Sequence, residues 1–451
     1  MSDRGSFGSR LGIVLATAGS AVGLGNVWRF PYMTGENGGA AFILIYFACI
    51  LLLGIPGMLS EFIVGRHAQA NAARAYDTLS GGRPWKLVGY LGILTSTIIL
   101  GFYAVVAGWC LQYLYASIVG QVNGDAEYVK DYFVTFSSDP LKPVLWGVGF
   151  VLITHLVVVR GVRSGIERAS KLLMPVLLVL LLVIVVASCM LPGAMAGVEF
   201  LLKPDFSKLS SKVLLEALGQ AFFSLSLGTA CLCTYASYFS KETNLLHAAG
   251  QIALLDTLIA ILAGLMIFPA AASVGVSPDS GPSLIFITLP NVFQQAFSSM
   301  PAVGYVISVM FYALLVFAAL TSTISMHEIG TAFFTEELHL PRRKSAWVLT
   351  VVASVICVFC ALSVGAYTGL QLMGLQLMDF CVQLTANFML PLGGMLTCLF
   401  VGWYIPRQVV HSEFTNGGSL GDGFFCLYLF AVRYVCPICI ILVFLHQLGV
   451  I

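Results

Sequence analysis

Two short segments inside apolar runs carry residue types that could bind a small charged molecule. Residues 18–26 contain Gly19, Gly23 and Gly25 and end in Asn26, and residues 224–230 mix serine and threonine with Gly228. Such composition predicts interrupted helices, whose freed backbone groups must face a ligand or water at membrane depth. Half-helix N-termini attract an anion such as a carboxylate, and freed carbonyls suit a cation. Alternatively, the small residues only permit close helix packing.

A carboxylate and a run of hydroxyls interrupt two later apolar segments. Asp256 would cost at least roughly 2.5 to 3.5 kcal/mol there if it were ionised and unpaired. No Lys or Arg is close to it in the sequence, so a bound cation is a natural partner. The hydroxyls of Thr321, Ser322 and Thr323 either bind an ion or bond back to the preceding helical turn. Oxygen ligands without Cys or His suit an alkali or alkaline-earth cation.

These groups must be positioned within a lipid bilayer. The 451 residues are 59% hydrophobic and 10% charged, with a mean hydropathy of +0.93, which predicts an all-α polytopic membrane protein. The continuous apolar runs lack the period-two alternation of barrel strands. Helices, called spans 1 to 11, are predicted at 11–34, 39–65, 87–119, 143–159, 169–192, 213–239, 244–275, 302–334, 345–368, 372–403 and 423–448.

Charge and cysteine usage exclude several classes of protein. The net charge of +1 and the absence of a phosphate-binding loop argue against nucleic-acid binding and an ATP-driven pump. The twelve cysteines lie in apolar runs and are predicted to be core residues rather than disulfide partners or zinc ligands.

The distribution of Lys and Arg predicts the orientation. With a cytoplasmic N-terminus, fifteen lie inside and six outside, and Arg433 falls within span 11. This asymmetry favours a chain in the inner (plasma) membrane with its N-terminus in the cytoplasm and its C-terminus outside. The first apolar run could also be a signal peptide, but no cleavage site follows it.

The interruptions in spans 1 and 6 are five spans apart, so these two helices run antiparallel. This pattern predicts an inverted repeat of five plus five helices, with repeat one at about 7–192 and repeat two at about 213–403. The helix at about 423–448 is then an addition.

The first interruption belongs to a longer motif. It comprises Arg10-Leu11-Gly12 and Gly19-Ser20-Ala21-Val22-Gly23-Leu24-Gly25-Asn26-Val27-Trp28-Arg29-Phe30-Pro31-Tyr32, and it is supported by Glu36-Asn37-Gly38-Gly39, Thr234-Tyr235-Ala236-Ser237-Tyr238 and Ala318-Ala319-Leu320-Thr321-Ser322. With these residues the chain resembles the neurotransmitter:sodium symporter family, in particular the shorter prokaryotic amino-acid transporters with the LeuT fold. The resemblance covers spans 1 to 10.

The resemblance implies two sodium sites. The first would use the carbonyl of Ala21, the side chains of Asn26, Ser224 and Asp256, and the substrate carboxylate. The second would use the carbonyls of Gly19, Val22 and Ala318 with the hydroxyls of Thr321 and Ser322. Na⁺ is therefore the expected cofactor, at two sites.

The resemblance also implies the substrate contacts. The substrate carboxylate would meet the N–H groups of Leu24 and Gly25 and the hydroxyl of Tyr103, while Ser226 and carbonyls of spans 1 and 6, including Ala21, would hold the ammonium group. The substrate side chain would be surrounded by Ile99, Phe223, Thr229, Ser322 and Met326.

The family's gates map onto further residues. Arg29 and Asp379 would pair outside, above Phe223 and Tyr103, and Arg4 would pair with Glu336 inside, near Phe7 and Tyr238. Glu336 replaces the more usual Asp and Phe7 the more usual Trp. Gly165 and Pro175 have the spacing that lets the cytoplasmic end of span 5 unwind in bacterial relatives; a fixed kink is the alternative.

The expected function is sodium-coupled symport of a neutral, hydrophobic or aromatic L-amino acid, without covalent chemistry. Biogenic-amine members carry Asp where this chain has Gly23, and Asp256 stands at the family's usual Asn position, so an amino-acid substrate and chloride independence are expected. A channel, an amino-acid sensor that does not transport, and a membrane enzyme are the alternatives. A channel would need a continuous polar lining, and an enzyme would need a nucleophile with a base at matched depth.

Overall fold

The computed structural model describes residues 5–122, 124–275, 284–367 and 369–447, and they are almost entirely helical. Eight helices in this part of the chain are long and apolar enough to cross a bilayer. They correspond to spans 2, 3, 5, 7, 8, 9, 10 and 11, at Ala40–Ala68, Lys86–Ile118, Val162–Cys189, Leu245–Ser273, Pro301–Glu337, Arg342–Val364, Leu377–Tyr404 and Phe425–Gln447.

The three remaining spans are shorter or interrupted. Span 1 consists of Arg10–Ala21 and Gly25–Glu36, which are bent by 55° relative to each other. Span 4 is Lys142–Val158, and span 6 is divided into Ser211–Ser224 and Cys231–Ala236. Both predicted interruptions are therefore present. The division of the chain into two inverted repeats stays a prediction.

The largest differences from the predicted boundaries are at the starts of spans 5 and 10. Span 5 begins at Val162 rather than at 169, because the polar stretch 163–168 continues the helix as a π-helical turn, Val162–Glu167. Span 10 begins at Leu377 rather than at 372, because Gln371–Leu372 pairs antiparallel with Leu375–Gln376 in a short hairpin. The segments outside the spans contain the helices Ala72–Ser80, Ala126–Ser138, Met195–Leu202, Leu289–Ala296 and Arg407–Phe414, the 3₁₀ turn Phe206–Lys208 and the π-helical turn Leu284–Thr288.

The interruption of span 6 has an unusual backbone. Ser226, Gly228 and Ala230 have φ values of 53°, 82° and 61°, a region that residues other than glycine rarely adopt. The buried carboxylate of Glu61 in span 2 accepts hydrogen bonds from the N–H groups of Gly228 (2.7 Å) and Cys233 (3.3 Å). Glu61 thereby satisfies two backbone donors that the broken helix leaves free.

The spans pack so that the interruptions lie in the interior. Spans 3, 4, 8 and 9 pack against one another, and the first half of span 1 lies against spans 5, 7 and 8. Asn26 in span 1, Ser224 in span 6 and Asp256 in span 7 are all buried. The fold therefore directs polar groups from three different spans toward the middle of an apolar bundle.

Candidate functional site

The first cluster surrounds Asp256, which is 0% exposed. Asn26 Nδ2 donates to Asp256 Oδ1 at 2.7 Å, and the hydroxyls of Ser224 and Tyr46 donate to Asp256 Oδ2 at 2.7 and 3.3 Å. Asn26 Oδ1 accepts from the N–H of Gly23 at 3.1 Å, which ties the cluster to the interruption in span 1. In the part of the chain that the structure describes, no Lys or Arg forms an ion pair with Asp256.

The second cluster lies where span 8 meets the interruption in span 1. The hydroxyls of Thr321 and Ser322 lie 3.4 and 3.3 Å from the carbonyl oxygen of Val22, and Thr321 Oγ1 lies 3.0 Å from the carbonyl oxygen of Ala318. A Cβ atom added at Gly19 would lie 3.3 Å from Cβ of Thr321. The structure thus brings together all five residues predicted for the second sodium site.

The donor set of both clusters fits Na⁺. It consists of carboxylate, amide, hydroxyl and carbonyl oxygens in a buried setting, which is the chemistry that hard cations prefer. The hydroxyl proton of Thr321 has another acceptor in the carbonyl of Phe317 at 3.2 Å, so a lone pair of Thr321 Oγ1 is free to face an ion.

The predicted substrate contacts converge beside these clusters. The N–H of Leu24 donates to the hydroxyl of Tyr103 at 3.0 Å. A Cβ atom at Gly23 would lie 2.5 Å from Ser322 Oγ and 3.0 Å from the Tyr103 hydroxyl, and one at Gly25 would lie 3.0 Å from the Phe223 ring. Glycine at both positions lets span 1 approach these side chains closely without moving them.

For the other residues predicted to contact the substrate, the structure shows hydrogen bonds to the backbone or burial alone. The hydroxyl of Ser226 donates to the carbonyl of Ser20 at 3.3 Å, between the two interruptions. The hydroxyl of Thr229 donates to the carbonyl of Ser226 and accepts from the N–H of Cys231, so it serves the loop of span 6. Ile99 is buried and Met326 partly buried. Their contact with a substrate stays a prediction.

The outer gate differs from the predicted ion pair. Among the described residues no ion pair joins Arg29 to Asp379, whose side chain is exposed. The Arg29 guanidinium lies instead over the Phe223 ring, 4.3 Å from its centroid. Arg29 thus covers the predicted aromatic lid directly through a cation–π contact.

Near the residues predicted for the inner gate, the structure contains an ion pair that the sequence did not reveal. Arg4 lies outside the described residues, and the Glu336 carboxylate accepts from the backbone N–H of Asn71 at 2.7 Å. The Tyr238 hydroxyl donates to Glu328 Oε1 at 2.7 Å, and Arg342 binds the same carboxylate, with Nη2 2.5 Å from Oε2. Glu328 lies inside predicted span 8, and an intramembrane carboxylate is the signal that could have identified it.

Span 5 is helical around Gly165 and Pro175. A Cβ at Gly165 would collide with the carbonyl oxygen of Val157, so glycine is required for packing. Two residues later, the Glu167 carboxylate accepts from the N–H of Gly8 at 2.6 Å and the hydroxyl of Ser9 at 3.0 Å. The N-terminal end of span 1 is thereby attached to the segment expected to unwind, and the unwinding itself stays a prediction.

The chain is similar to known proteins over nearly its whole length. The model of the sodium:neurotransmitter symporter family matches residues 4–131 and 141–451. The chain is 38% identical to an uncharacterized sodium-dependent transporter of Bacillus subtilis, YhdH, over 98% of this chain and 97% of that one, and 33% identical to one of Haemophilus influenzae over 99% and 98%. The crystal structure of MhsT in complex with L-phenylalanine is similar with a TM-score of 0.89, at 42% identity over 98% of this chain and 100% of that one.

Proposed function

From the premise that this chain belongs to the sodium:neurotransmitter symporter family, we propose that it couples Na⁺ entry to uptake of a neutral, hydrophobic or aromatic L-amino acid. The chain is a multi-pass, sodium-dependent membrane transporter with the LeuT fold, and it is not an enzyme. The observation that carries the proposal is the convergence of two buried oxygen clusters on the interruption of span 1.

The substrate class follows from the space and the charges beside span 1. A Cβ atom at position 23 would lie 2.5 Å from Ser322 Oγ and 3.0 Å from the Tyr103 hydroxyl, so a larger side chain there would require these hydroxyls to shift. With glycine at this position the site has no carboxylate for the amine of a biogenic-amine substrate, and the substrate supplies its own. Phe223, Ile99 and Met326 provide the apolar surroundings, and MhsT, with 42% identity, was crystallised with L-phenylalanine.

Two sodium ions are proposed. The first is bound by Asn26, Ser224 and Asp256 together with the Ala21 carbonyl and the substrate carboxylate. The ion and the substrate carboxylate are thus in direct contact. The second is bound by the cluster of Thr321 and Ser322 described above. Two ions moving down ~100 mV supply about 2.3 kcal/mol each, which at roughly 1.4 kcal/mol per tenfold supports about a thousandfold accumulation of a net-neutral substrate.

Chloride independence is supported by the contacts of Asp256. Its Oδ2 atom accepts from the hydroxyls of Ser224 and Tyr46, two groups that would otherwise be candidates to bind an anion. A third candidate, Gln220, is buried, and neither polar atom of its amide has a hydrogen-bond partner among the described residues. The carboxylate of Asp256 supplies the negative charge that an anion would bring.

The transport cycle is proposed to be alternating access. Spans 1, 2, 6 and 7 rock against spans 3, 4, 8 and 9, with Arg29 and Phe223 on the outer side and Tyr238 on the inner side. The proposed topology in the plasma membrane has a cytoplasmic N-terminus and an external C-terminus. The inner side thus holds Glu328, Arg342 and Glu336.

Uptake into proteoliposomes tests this function. We expect saturable accumulation of a radiolabelled hydrophobic or aromatic amino acid that requires an inward Na⁺ gradient and persists when gluconate replaces chloride. Counterflow distinguishes transport from binding alone, because a sensor would bind the amino acid without exchanging it. Accumulation of dopamine or serotonin above that of every neutral amino acid would contradict the substrate class.

A further inference from the structure

Arg433 is a cation in the middle of an apolar surface. It lies in span 11 on the π-helical turn Ala431–Val435 and is partly exposed. Exposed apolar side chains flank it on both sides along the helix: Leu427 is 64% exposed and Ile441 47%. At 1.5 Å per residue, these extend about 9 Å before Arg433 and about 12 Å after it. Arg433 therefore interrupts an exposed apolar face of span 11, at the level where span 10 ends.

The backbone holds this guanidinium in a fixed position. Arg433 Nε donates to the carbonyl of Gly402 at 2.6 Å, and Trp403 Nε1 donates to the carbonyl of Arg433 at 3.2 Å. Gly402 and Trp403 belong to a second π-helical turn, Phe400–Tyr404, at the end of span 10. A Cβ atom at Gly402 would lie 3.0 Å from Arg433 Cγ, so glycine permits the close approach. Two facing π-helical turns thus present one carbonyl each to the partner span.

In the part of the chain that the structure describes, the terminal nitrogens of Arg433 form no hydrogen bond or ion pair. Across the described ranges no carboxylate lies within ion-pair distance of Arg433, and the guanidinium donates its hydrogen bond to Gly402 through Nε. The exposed rings of Trp403 and Tyr434 stand beside it, with Trp403 5.3 Å below the guanidinium. An unpaired guanidinium facing hydrocarbon is costly unless an anion approaches it. Its planar fork matches the two oxygens of a phosphate.

We propose that Arg433, held in place by Gly402 and Trp403, binds the phosphate of an anionic phospholipid in the leaflet where span 10 ends and span 11 begins. In the topology proposed above this is the cytoplasmic leaflet. Two further cations lie over aromatic rings where span 10 ends and span 11 begins. The Arg83 guanidinium is 5.6 Å from the Tyr404 ring centroid, and the Arg407 guanidinium is 5.7 Å from the Phe425 ring centroid. Their positive charge favours an anionic lipid over a zwitterionic one. The site is independent of which amino acid is transported.

Native mass spectrometry of the purified full chain tests the site with phosphatidylglycerol as the probe. We expect one tightly held phosphatidylglycerol, at least tenfold weaker binding to Arg433→Gln, and no change with Arg343→Gln, which removes an exposed cation at the start of span 9. Phosphatidylcholine should bind several-fold more weakly. Equal phosphatidylglycerol binding by wild type and Arg433→Gln would overturn the proposal.

Two additional measurements distinguish other partners for the guanidinium. Inorganic phosphate at millimolar concentration should not displace the lipid, and equal binding of phosphate alone would overturn the assignment to a lipid. If the wild type is a dimer in lipid-free detergent and Arg433→Gln is a monomer, the partner of the guanidinium is a second copy of the chain. That result would also overturn the lipid proposal. If Arg433→Gln does not fold, Trp403→Phe keeps the cation and removes its anchor, and we expect threefold or greater weakening.

Discussion

Asp256 and Glu328 are both carboxylates with 0% exposure inside apolar spans, yet of the two only Glu328 forms an ion pair among the described residues. Glu328 has a permanent counterion, because Arg342 binds it and Tyr238 donates to it. Asp256 is held by Asn26 and two hydroxyls, all neutral groups. A buried carboxylate with its own cation stabilises one arrangement of helices, whereas one held only by neutral donors keeps its charge available to an ion that comes and goes.

Replacing Asp256 should have the largest effect. We expect Asp256→Asn to lose transport, or to regain it only with added chloride, because the substitution removes the charge but keeps a similar shape. At ~4 Å and an effective dielectric near 20, a charge pair is worth about 4 kcal/mol. Uptake measured in chloride and in gluconate at constant sodium checks this. Wild-type uptake that collapses in gluconate would contradict the role given to Asp256.

Removing hydroxyls from the second cluster should lower the affinity of the protein for sodium. Thr321→Ala combined with Ser322→Ala removes two of five proposed oxygens, and at about 2 kcal/mol for each contact to a charged group the loss is about a thousandfold. Sodium titration of amino-acid binding measures it. Thr323→Ala is the matched control, since its hydroxyl donates to the Leu320 carbonyl and lies outside the cluster. An unchanged sodium affinity in the double variant would disprove the assignment.

Breaking the permanent pair should instead change stability. Glu328→Gln leaves the Arg342 guanidinium without its counterion, which costs about 3 kcal/mol for a buried pair. We expect a lower thermal midpoint and altered transport rates, with the sodium affinity of the folded protein within about threefold of wild type. A large loss of sodium affinity at full stability would mean that Glu328, too, belongs to an ion site.

Glu413, a carboxylate outside the spans, has charged partners as Glu328 does, and its contribution to stability should depend on pH. Burial alone would raise the pKa of Glu413, but His67, Arg66 and Lys241 lower it to about 2. The folded pKa is thus below the unfolded value of about 4.3. The stability that Glu413 contributes is therefore complete above that pH and is lost as the pH falls toward 2. Thermal unfolding between pH 5 and 3 should show a shallower decline for Glu413→Gln than for wild type, by about 1 kcal/mol.

The sequence predicted the elements more fully than the contacts between them. Glycine and serine in apolar runs indicated both interruptions because those residue types disfavour a continuous helix. The resemblance placed Asn26, Ser224 and Asp256 together, and the structure joins them by hydrogen bonds. Apolar patterning alone could not have done this, since the three residues lie on different spans.

Contacts that depend on where the end of a long side chain lies could not be predicted from the sequence. Glu328 meets Arg342 across the turn between spans 8 and 9, and the positive-inside pattern had explained Arg342 as a topology charge. The start of span 5 was missed because Arg163 and Glu167 interrupt its apolar run, although tertiary bonds from Gly8 and Ser9 satisfy the Glu167 carboxylate. Arg29 stacks on Phe223 in a geometry that no spacing in the sequence specifies.

The divided span 6 also has a consequence for how the protein is made. At 1.5 Å per residue, Ser211–Ser224 covers about 21 Å and Cys231–Ala236 about 9 Å, and neither crosses the ~30 Å hydrocarbon core alone. The N–H groups of Gly228 and Cys233 are satisfied by Glu61, which the ribosome synthesises more than a hundred residues earlier. Span 6 can therefore become stable in the bilayer only by docking against span 2, after that helix has left the translocon.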